Sequence, residues 1–262
     1  MQFSKSKDEE HEEDHVTEID GHKFKPETLV LGYGYNNKSC NYSLKPPLFL
    51  TSTFVFPKSK VGKRAFELMR GVAKPRKGEK SAYVYSRMNN PNLDIFEKRL
   101  ALFDQSDYGL SFASGMAAVS AVPLAFCRPG DALISTDPIY GGSKTLFNYF
   151  LNDFGIKVYW VPADAQKEEI EKAILAAQND GRKVKVIYTE TPSNPTIVMT
   201  DLEALNELKL KYSTPENKIV LACDNTFLGK LFLAKSKLFF FFRTLLSDSN
   251  YFWSRCNSLF NN

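Results

Sequence analysis

The chain has 262 residues, of which 43% are hydrophobic and 24% are charged, and its formal net charge is +4. This length allows one large domain, or one domain and part of a second, and is ample for a buried core. The basic residues are dispersed along the chain, so nucleic acid is not expected as a partner. The most apolar run, Leu238 to Phe242, is far too short to cross a bilayer, so no membrane is expected as a partner.

The first residues form an acidic segment. Between Asp8 and Asp20 there are eight Asp or Glu residues, which is typical of a solvated, disordered tail, and we assign residues 1–28 to it. His11 and His15 lie within this run, but a flexible tail supplies no neighbours that orient ligands, so no metal site is predicted. The segment lacks the apolar stretch of a secretory signal, and the four cysteines show no framework spacing. A cytoplasmic protein with reduced thiols is expected.

Residues 29–91 are predicted to form an N-terminal arm. Within it, Pro46 to Phe54 is typical of an extended segment, and Arg64 to Arg70 of a helical turn. Lys74 to Lys80 is a basic loop, which we interpret as a solvated connection. The arm is therefore expected to be largely extended.

From residue 92 to residue 229 the pattern becomes regular, because short apolar runs alternate with segments of helical spacing. Helices are predicted over Asn92–Phe103, Gly115–Phe126, about Lys144–Asn152, Lys167–Gln178 and Asp201–Tyr212, the last capped by Thr200. Strands are predicted over Tyr108–Ala113, Ala132–Thr136, Lys157–Val161, Val184–Thr189 and Ile219–Cys223. Short strands between helices indicate βα repeats, and hence an α/β domain whose mostly parallel sheet is buried on both faces.

Candidate binding residues follow several of the predicted strands. Ser114 and Gly115 follow one strand, Tyr140 follows the next, Asn194 follows another and Asp224 follows the last. Ligands of parallel α/β sheets bind beyond the carboxyl ends of the strands, so these residues are expected to lie in one site.

Two of these positions have a chemical meaning of their own. Gly115 and Met116 begin a helix directly after a strand, and the free N–H groups of a helix N-terminus form an anion site. Capping of the helix by Ser114 explains the same residues equally well. Asp224 ends an apolar strand, where a carboxylate is costly unless a partner compensates its charge. A partner for Asp224 is therefore expected.

Five motifs follow one another along the chain: Tyr85-Ser86-Arg87, Ser114-Gly115-Met116-Ala117-Ala118, Tyr140-Gly141-Gly142, Thr191-Pro192-Ser193-Asn194-Pro195 and Asp224-Asn225-Thr226-Phe227. In this order they resemble the pyridoxal-phosphate (PLP) enzymes of cysteine and methionine metabolism: cystathionine γ-synthase, cystathionine γ-lyase and methionine γ-lyase. The resemblance covers roughly residues 30 to 229. It implies the large domain of a fold type I PLP-dependent transferase, truncated before its small C-terminal domain, with PLP as the cofactor and a homo-oligomer as the assembly.

The resemblance implies how the phosphate of PLP is held. Tyr85 and Arg87 would reach the phosphate from a neighbouring subunit, and the planar guanidinium of arginine suits such a contact. Gly115 and Met116 would bind the same phosphate at the start of their helix. Without the resemblance, Arg87 is better explained as an ordinary surface arginine.

The resemblance also implies how the ring of PLP is held. Tyr140 would stack on the ring and assist catalysis, although it is otherwise a core tyrosine before a glycine turn. Asn194 would hydrogen-bond on the side of the phenolic oxygen. Asp224 would keep the pyridine nitrogen protonated, so that the ring withdraws electrons. Thr226, in the same motif as Asp224, is included among the cofactor-binding residues.

The resemblance ends after Gly229. The family attaches PLP to a lysine in a Ser-Ala-Thr-Lys motif one strand beyond the position of Asp224, and no such motif follows here. Lys235 and Lys237 follow Asp224 too closely, without the strand that would direct them to the ring. Residues 230–262 are expected to be a non-homologous tail from a translated intron or a frameshift, because Gly-Lys is encoded by a read-through intron start and a run of Phe by a pyrimidine-rich stretch.

Two consequences of this tail are expected. Without the lysine, this chain would have no useful turnover, and its sheet would end on an unpaired apolar edge after the last predicted strand. The family reaction is elimination or replacement at the γ- or β-carbon of a sulfur-containing amino acid. The alternatives are a non-catalytic fragment that pairs with a full-length homologue and, less favoured, an aminotransferase of the same fold, in which Pro-x-Asn-Pro also occurs.

Overall fold

The computed structural model describes residues 17–76, 79, 82–104, 106–227 and 239–241. These residues form two compact units, one that ends at Phe103 and one that begins at Asp104. The predictions for His11 and His15, and those for Lys235 and Lys237, lie outside the described residues.

The first unit begins with a small hairpin where the sequence predicted a disordered tail. Strand β1 (Glu18–Ile19) pairs antiparallel with β2 (His22–Lys23). Asp20 and Gly21 between them have φ angles of 51° and 78°, and positive φ at both positions is the backbone of the two-residue turns that Asp-Gly favours. A helical turn, α1 (Pro26–Leu29), follows. The described end of the predicted tail is therefore folded, and the Asp-Gly pair was the signal for it.

Two longer helices follow in this unit. Helix α2 (Ser59–Met69) begins one and a half turns before the predicted helical turn at Arg64. Helix α3 (Pro91–Asp104) is the helix predicted over Asn92–Phe103. Proline suits its first position because the N–H group that proline lacks has no partner in a first helical turn.

The segment predicted to be extended, residues 46–54, contains no regular strand. Thr53 and Tyr85 form an isolated antiparallel bridge. The Asn92 side chain ties the segment to the start of α3, because it accepts a hydrogen bond from the Phe49 N–H (2.8 Å) and donates one to the Pro47 carbonyl (2.8 Å). Side-chain bonds of this kind replace the ladder bonds that a strand would make.

The second unit is built on a parallel sheet, which confirms the predicted α/β class. Its strands are β3 (Asp131–Asp137), β4 (Lys157–Pro162), β5 (Lys183–Glu190), β6 (Val220–Asp224) and β7 (Phe239–Phe241). Their order in the sheet is β4-β3-β5-β6-β7, and every neighbouring pair is parallel. Because the strands are parallel, all of their carboxyl ends lie at one edge of the sheet.

Helices precede or connect these strands. They are α4 (Gly115–Phe126), α5 (Gly141–Thr145), a π-helical turn (Leu146–Phe150), α6 (Leu151–Asp153), α7 (Lys167–Asn179) and α8 (Leu202–Tyr212). The bounds of α4 are those predicted, and α5 to α6 replace the single helix predicted near Lys144–Asn152. Within the described ranges, no helix has both the length and the apolar character that crossing a bilayer requires.

Alternate residues of the strands enter two separate cores. Val186 and Tyr188 pack with α4 in one cluster, whereas Ile187 packs with α7 and α8 in the other. A strand whose two faces are both buried needs apolar residues at successive positions rather than at every second one. The expectation of a sheet buried on both faces is therefore confirmed.

Three predictions for this unit are wrong. No strand forms over Tyr108–Ala113, where Tyr108 and Phe112 are exposed, because this segment pairs with none of the strands among the described residues. The cap of α8 is Asp201, whose carboxylate accepts from the N–H groups of Glu203 and Ala204 at 3.0 Å each.

Thr200, the predicted cap, is instead buried, and its hydroxyl donates to the carbonyl of Ala163 at 2.9 Å. The third error concerns the edge of the sheet. β7 pairs with β6 from Ala222↔Phe239 to Asp224↔Phe241, so the strand at this edge of the sheet is β7, which is also apolar, and not β6 as predicted. A strand from within the predicted tail thus satisfies the main-chain groups that β6 would otherwise expose.

Candidate functional site

A pocket opens in the second unit where the predicted binding residues meet. It lies at the carboxyl ends of β5 and β6 and at the N-terminus of α4. Its lining residues are Gly115, Met116, Val119, Tyr140, Glu190, Pro192, Asn194, Asp224, Thr226 and Phe227. This is the edge at which ligands of parallel α/β sheets bind.

Six of the eight residues predicted from the sequence line this one pocket: Gly115, Met116, Tyr140, Asn194, Asp224 and Thr226. The other two, Tyr85 and Arg87, belong to the first unit. There the Arg87 guanidinium lies 5.5 Å from the centre of the Tyr85 ring. That distance is typical of a cation–π contact, which holds the two side chains together as a pair.

The N-terminus of α4 forms one wall. Ser114 caps the helix, since its hydroxyl accepts a hydrogen bond from the Ala117 N–H at 3.2 Å, and its carbonyl accepts from Ala118 at 3.2 Å. The N–H groups of Gly115 and Met116 belong to the first turn, which offers them no acceptor within the helix. An anion at this wall would receive these N–H groups and the positive end of the helix dipole.

Asp224 supplies the negative charge of the site. It is the last residue of β6 and only 7% exposed, and Oδ1 accepts from the N–H (3.0 Å) and the hydroxyl (2.5 Å) of Thr226. Burial raises the pKa of the Asp224 carboxyl, while hydrogen bonds from Thr226 and Tyr188 oppose that rise. None of the ion pairs formed by the described residues includes Asp224. A protonated ring nitrogen is the kind of partner that such a carboxylate stabilises.

Tyr140 supplies an aromatic surface. It directly precedes α5, and its side chain is half-exposed. An added Cβ at Gly142 would lie 2.6 Å from the Tyr140 ring and 3.1 Å from the Met116 sulfur. The glycine thus allows the ring to lie against the first residues of α4, where a planar ligand bound at those N–H groups could stack on it.

Glu190 is a site residue that the sequence predictions missed. It ends β5 and is 4% exposed, and its Oε2 and Oε1 accept from the N–H groups of Tyr140 (2.9 Å) and Asn194 (2.6 Å). Burial raises the pKa of the Glu190 carboxyl, these two bonds lower it, and Asp224 raises it further. The signal in the sequence was the one that singled out Asp224: an acidic residue at the end of an apolar strand.

Tyr188 is a second residue that the predictions missed. It is fully buried, and its ring meets that of Phe147 edge to face at 4.9 Å between ring centres. Burial raises the pKa of its hydroxyl well above the ordinary value, and the charge of Asp224 raises it further. Nothing in the sequence separates it from an ordinary tyrosine of a buried strand.

These groups fit PLP by their chemistry. The α4 N-terminus suits a phosphate, the buried carboxylate of Asp224 suits a protonated pyridine nitrogen, and the Tyr140 ring suits a flat aromatic ligand. One pocket presents all three kinds of group. Within the described ranges, no group of three or more His, Cys, Asp or Glu side chains could hold a metal ion.

Comparison with known proteins supports the same cofactor. The model of the family described as "Cys/Met metabolism PLP-dependent enzyme" matches residues 27–237, eight residues beyond the point at which the resemblance was expected to end. L-methionine γ-lyase of Pseudomonas deceptionensis is 33% identical over 209 residues, which are 79% of this chain and 47% of that enzyme. Cystathionine γ-lyase of Sus scrofa is 34% identical over 155 residues, 59% of this chain and 35% of that enzyme.

Solved structures agree in fold. A Campylobacter jejuni protein provisionally assigned as O-acetylhomoserine (thiol)-lyase, crystallised with N'-pyridoxyl-lysine-5'-monophosphate, gives a TM-score of 0.65 at 30% identity over 78% of this chain and 45% of that one. The metB structure of Corynebacterium glutamicum gives 0.60 at 25% identity over 78% and 47%. The chain therefore spans about half the length of its relatives. Its sequence and fold show that it belongs to the family of Cys/Met metabolism PLP-dependent enzymes.

Proposed function

We propose that the pocket binds PLP and that the reaction it serves is elimination or replacement at the γ- or β-carbon of a sulfur-containing amino acid. The observation that carries the proposal is Asp224, a buried carboxylate outside every ion pair of the described residues, in one pocket with Tyr140 and the N-terminus of α4. The named relatives, which act on methionine and cystathionine, support the class of substrate.

When bound, PLP supplies an electron-withdrawing ring for the bonds at the α-carbon of an amino acid. The residues of this chain provide the conditions for that withdrawal. Asp224 keeps a proton on the ring nitrogen, and Thr226 fixes the orientation of the carboxylate through its two bonds to Oδ1. Tyr140 would cover one face of the ring and exclude water from it, and Asn194, which lines the same pocket, would bind a polar substituent of the ring.

The phosphate is proposed to bind to the N–H groups of Gly115 and Met116. A helix N-terminus offers both hydrogen-bond donors and a favourable dipole to a doubly charged anion. We further propose that Tyr85 and Arg87 reach the phosphate from a second copy of the chain, as their motif implies. The two side chains already form a pair at 5.5 Å, which orients the guanidinium.

For this chain itself we propose PLP binding without useful turnover. The Ser-Ala-Thr-Lys motif does not occur in its sequence. Without the lysine of that motif, the chain would hold PLP through the phosphate, the ring contacts and Asp224, and that lysine could not move the α-proton.

Equilibrium dialysis with PLP, wild-type protein and the variant Asp224→Asn tests cofactor binding. We expect saturable binding by the wild type and binding weakened by about tenfold or more in the variant. The variant loses the charged hydrogen bond between residue 224 and the ring nitrogen, and a loss of about 1.4 kcal/mol of binding free energy corresponds to tenfold in affinity. Equal binding by both proteins would contradict the role of Asp224. Release of a 2-oxo acid from L-methionine or cystathionine would contradict the proposed lack of turnover.

Association with a full-length homologue or a second copy is a second candidate role. Leu44, Leu48, Leu50 and Val55 in the first unit are between 77% and 94% exposed. Several exposed aliphatic side chains so close along the chain are typical of a surface that another chain covers. Light scattering after gel filtration tests this: we expect oligomers that Leu44→Ser with Leu50→Ser dissociates, whereas Leu210→Ser on α8 has no effect.

A cytoplasmic location is proposed from the cysteines. Cys40, Cys127 and Cys223 are all free in the structure. Free thiols persist in compartments kept reducing by glutathione and thioredoxin. Fractionation of cells that express the tagged chain would check the location, and recovery from a secretory compartment would contradict it.

A further inference from the structure

Glu190 connects two loops that carry proposed cofactor contacts. One loop follows β3 and contains Tyr140, and the other follows β5 and contains Asn194. One oxygen of the Glu190 carboxylate accepts from the Tyr140 N–H at 2.9 Å, and the other accepts from the Asn194 N–H at 2.6 Å. The carboxylate therefore connects the Asn194 loop to Tyr140, which lies 50 positions before Glu190 in the chain.

The chemistry of this bridge is specific to a carboxylate. An ionised carboxylate accepts at both oxygens, whereas a glutamine amide accepts at one end and donates at the other. With glutamine at residue 190, either the Tyr140 N–H or the Asn194 N–H would face another donor. Because the group is 4% exposed, water is a poor replacement for the lost acceptor.

The two acidic residues of the pocket have different partners. Glu190 uses both oxygens for main-chain N–H groups, whereas Oδ1 of Asp224 accepts from the neighbouring Thr226. Only Asp224 is assigned to the charge of the ring nitrogen in the proposed function. The partners of Glu190 instead carry the stacking ring and the polar side chain beside it.

We propose that Glu190 is a positioning residue, whose bridging carboxylate holds Tyr140 and Asn194 at the places where they contact the ring of PLP. The assignment rests on the proposed function for the identity of the ligand. The bridge itself exists in the protein without PLP and can be tested there. Loss of the bridge lets either loop move relative to β5, which separates two walls of the site.

The first test uses full-length wild-type protein without PLP. One carboxylate that accepts from both N–H groups must shift both amide proton resonances together as it titrates. We expect the Tyr140 and Asn194 amide resonances, followed by NMR, to share one titration midpoint. Separate midpoints, or no shift of either resonance, would overturn the proposal whether or not PLP binds.

The second test compares Glu190→Gln with the exposed control Glu216→Gln by amide hydrogen exchange. We expect exchange of the Tyr140 or the Asn194 amide to accelerate about tenfold or more in Glu190→Gln. Amides of β3 should keep wild-type rates, and so should all amides of Glu216→Gln. Wild-type protection of both amides in Glu190→Gln would overturn the bridge. If Glu190→Gln does not fold, the wild-type titration decides alone.

The third test adds PLP and reads the circular dichroism induced in its absorption band. That signal depends on how the ring is held, so we expect it to fall several-fold in Glu190→Gln at saturating PLP and to stay unchanged in Glu216→Gln. An unchanged signal in Glu190→Gln would refute positioning even where the bridge exists. If wild-type protein does not bind PLP, the proposed function fails, while the two tests without PLP still decide the bridge.

Discussion

Glu190 and Asp224 are direct register partners on the neighbouring parallel strands β5 and β6. Partners in register point to the same face of a sheet, so two buried carboxylates end these strands side by side. Burial raises the pKa of both groups, and Asp224 raises that of Glu190 further. The fold thus disfavours the charged form of both carboxyls, and a cationic ring nitrogen beside Asp224 would favour its charged form.

This pair predicts how the stability of the cofactor-free protein depends on pH. An acid whose pKa is raised by folding binds more protons in the folded state, so the free energy of unfolding falls as pH rises from the ordinary pKa through the raised one. Asp224→Asn removes one of the two groups. We therefore expect a weaker decline of stability between pH 4 and pH 7.5 in that variant, measured by urea unfolding.

The matched control is Asp164→Asn, because Asp164 is exposed. Its stability should follow the wild-type dependence on pH across the same range. If the stability of Asp224→Asn also depended on pH as the wild type does, the pKa of Asp224 would not be raised in the folded protein.

The hydroxyl of Tyr188 is predicted to contribute to stability. Tyr188→Phe keeps the edge-to-face contact with Phe147 but removes a buried hydroxyl that lowers the pKa of the Asp224 carboxyl. We expect the free energy of unfolding to fall by about 1 kcal/mol, because the dipole of this hydroxyl favours the ionised Asp224 carboxylate. Urea unfolding at pH 7 measures it, and Tyr108→Phe, at an exposed tyrosine, should show no change.

Gly142 is predicted to be required for the position of the Tyr140 ring. An alanine there would bring Cβ within 2.6 Å of that ring, whereas an alanine at Gly141 would meet no atom within 4 Å. We expect Gly142→Ala to cost about 1–3 kcal/mol of stability, as overpacking does. It should also weaken PLP binding by about tenfold. Gly141→Ala should keep wild-type affinity in equilibrium dialysis, and equal affinities of both variants would contradict the role of the ring.

Ser114 is predicted to stabilise helix α4 and, by fixing the start of that helix, to favour binding of the phosphate of PLP. Ser114→Ala removes the cap at Ala117 N–H, and Asp201→Ala removes the corresponding cap of α8. Each should lower the free energy of unfolding by about 1 kcal/mol. Only Ser114→Ala should weaken PLP binding, because only α4 begins at the pocket. Weaker binding in both variants would point to a general loss of stability instead.

Local patterns in the sequence were enough for most elements of the second unit. Helix α4 begins at Gly115 and ends at Phe126 as predicted, because its start follows a capping serine and its apolar spacing continues to Phe126. Apolar runs between helices likewise predicted β3 to β6 and the edge of the sheet where ligands bind. Asp224 could be singled out because a carboxylate at the end of such a run needs a partner.

Other features depended on contacts that no local pattern contains. The segment Tyr108–Ala113 has the composition of a strand but pairs with none of the described strands, whereas β7 forms because Phe239–Phe241 pairs with β6. Glu190 was not predicted as a site residue, because its bond with the Tyr140 N–H joins residues that are 50 positions apart in the chain. The class of fold, the family and most of the residues of the pocket could be predicted from residue patterns alone. Strand pairing and the acid that connects the two loops became visible only in the folded chain, because hydrogen bonds and register join residues that are distant in the chain.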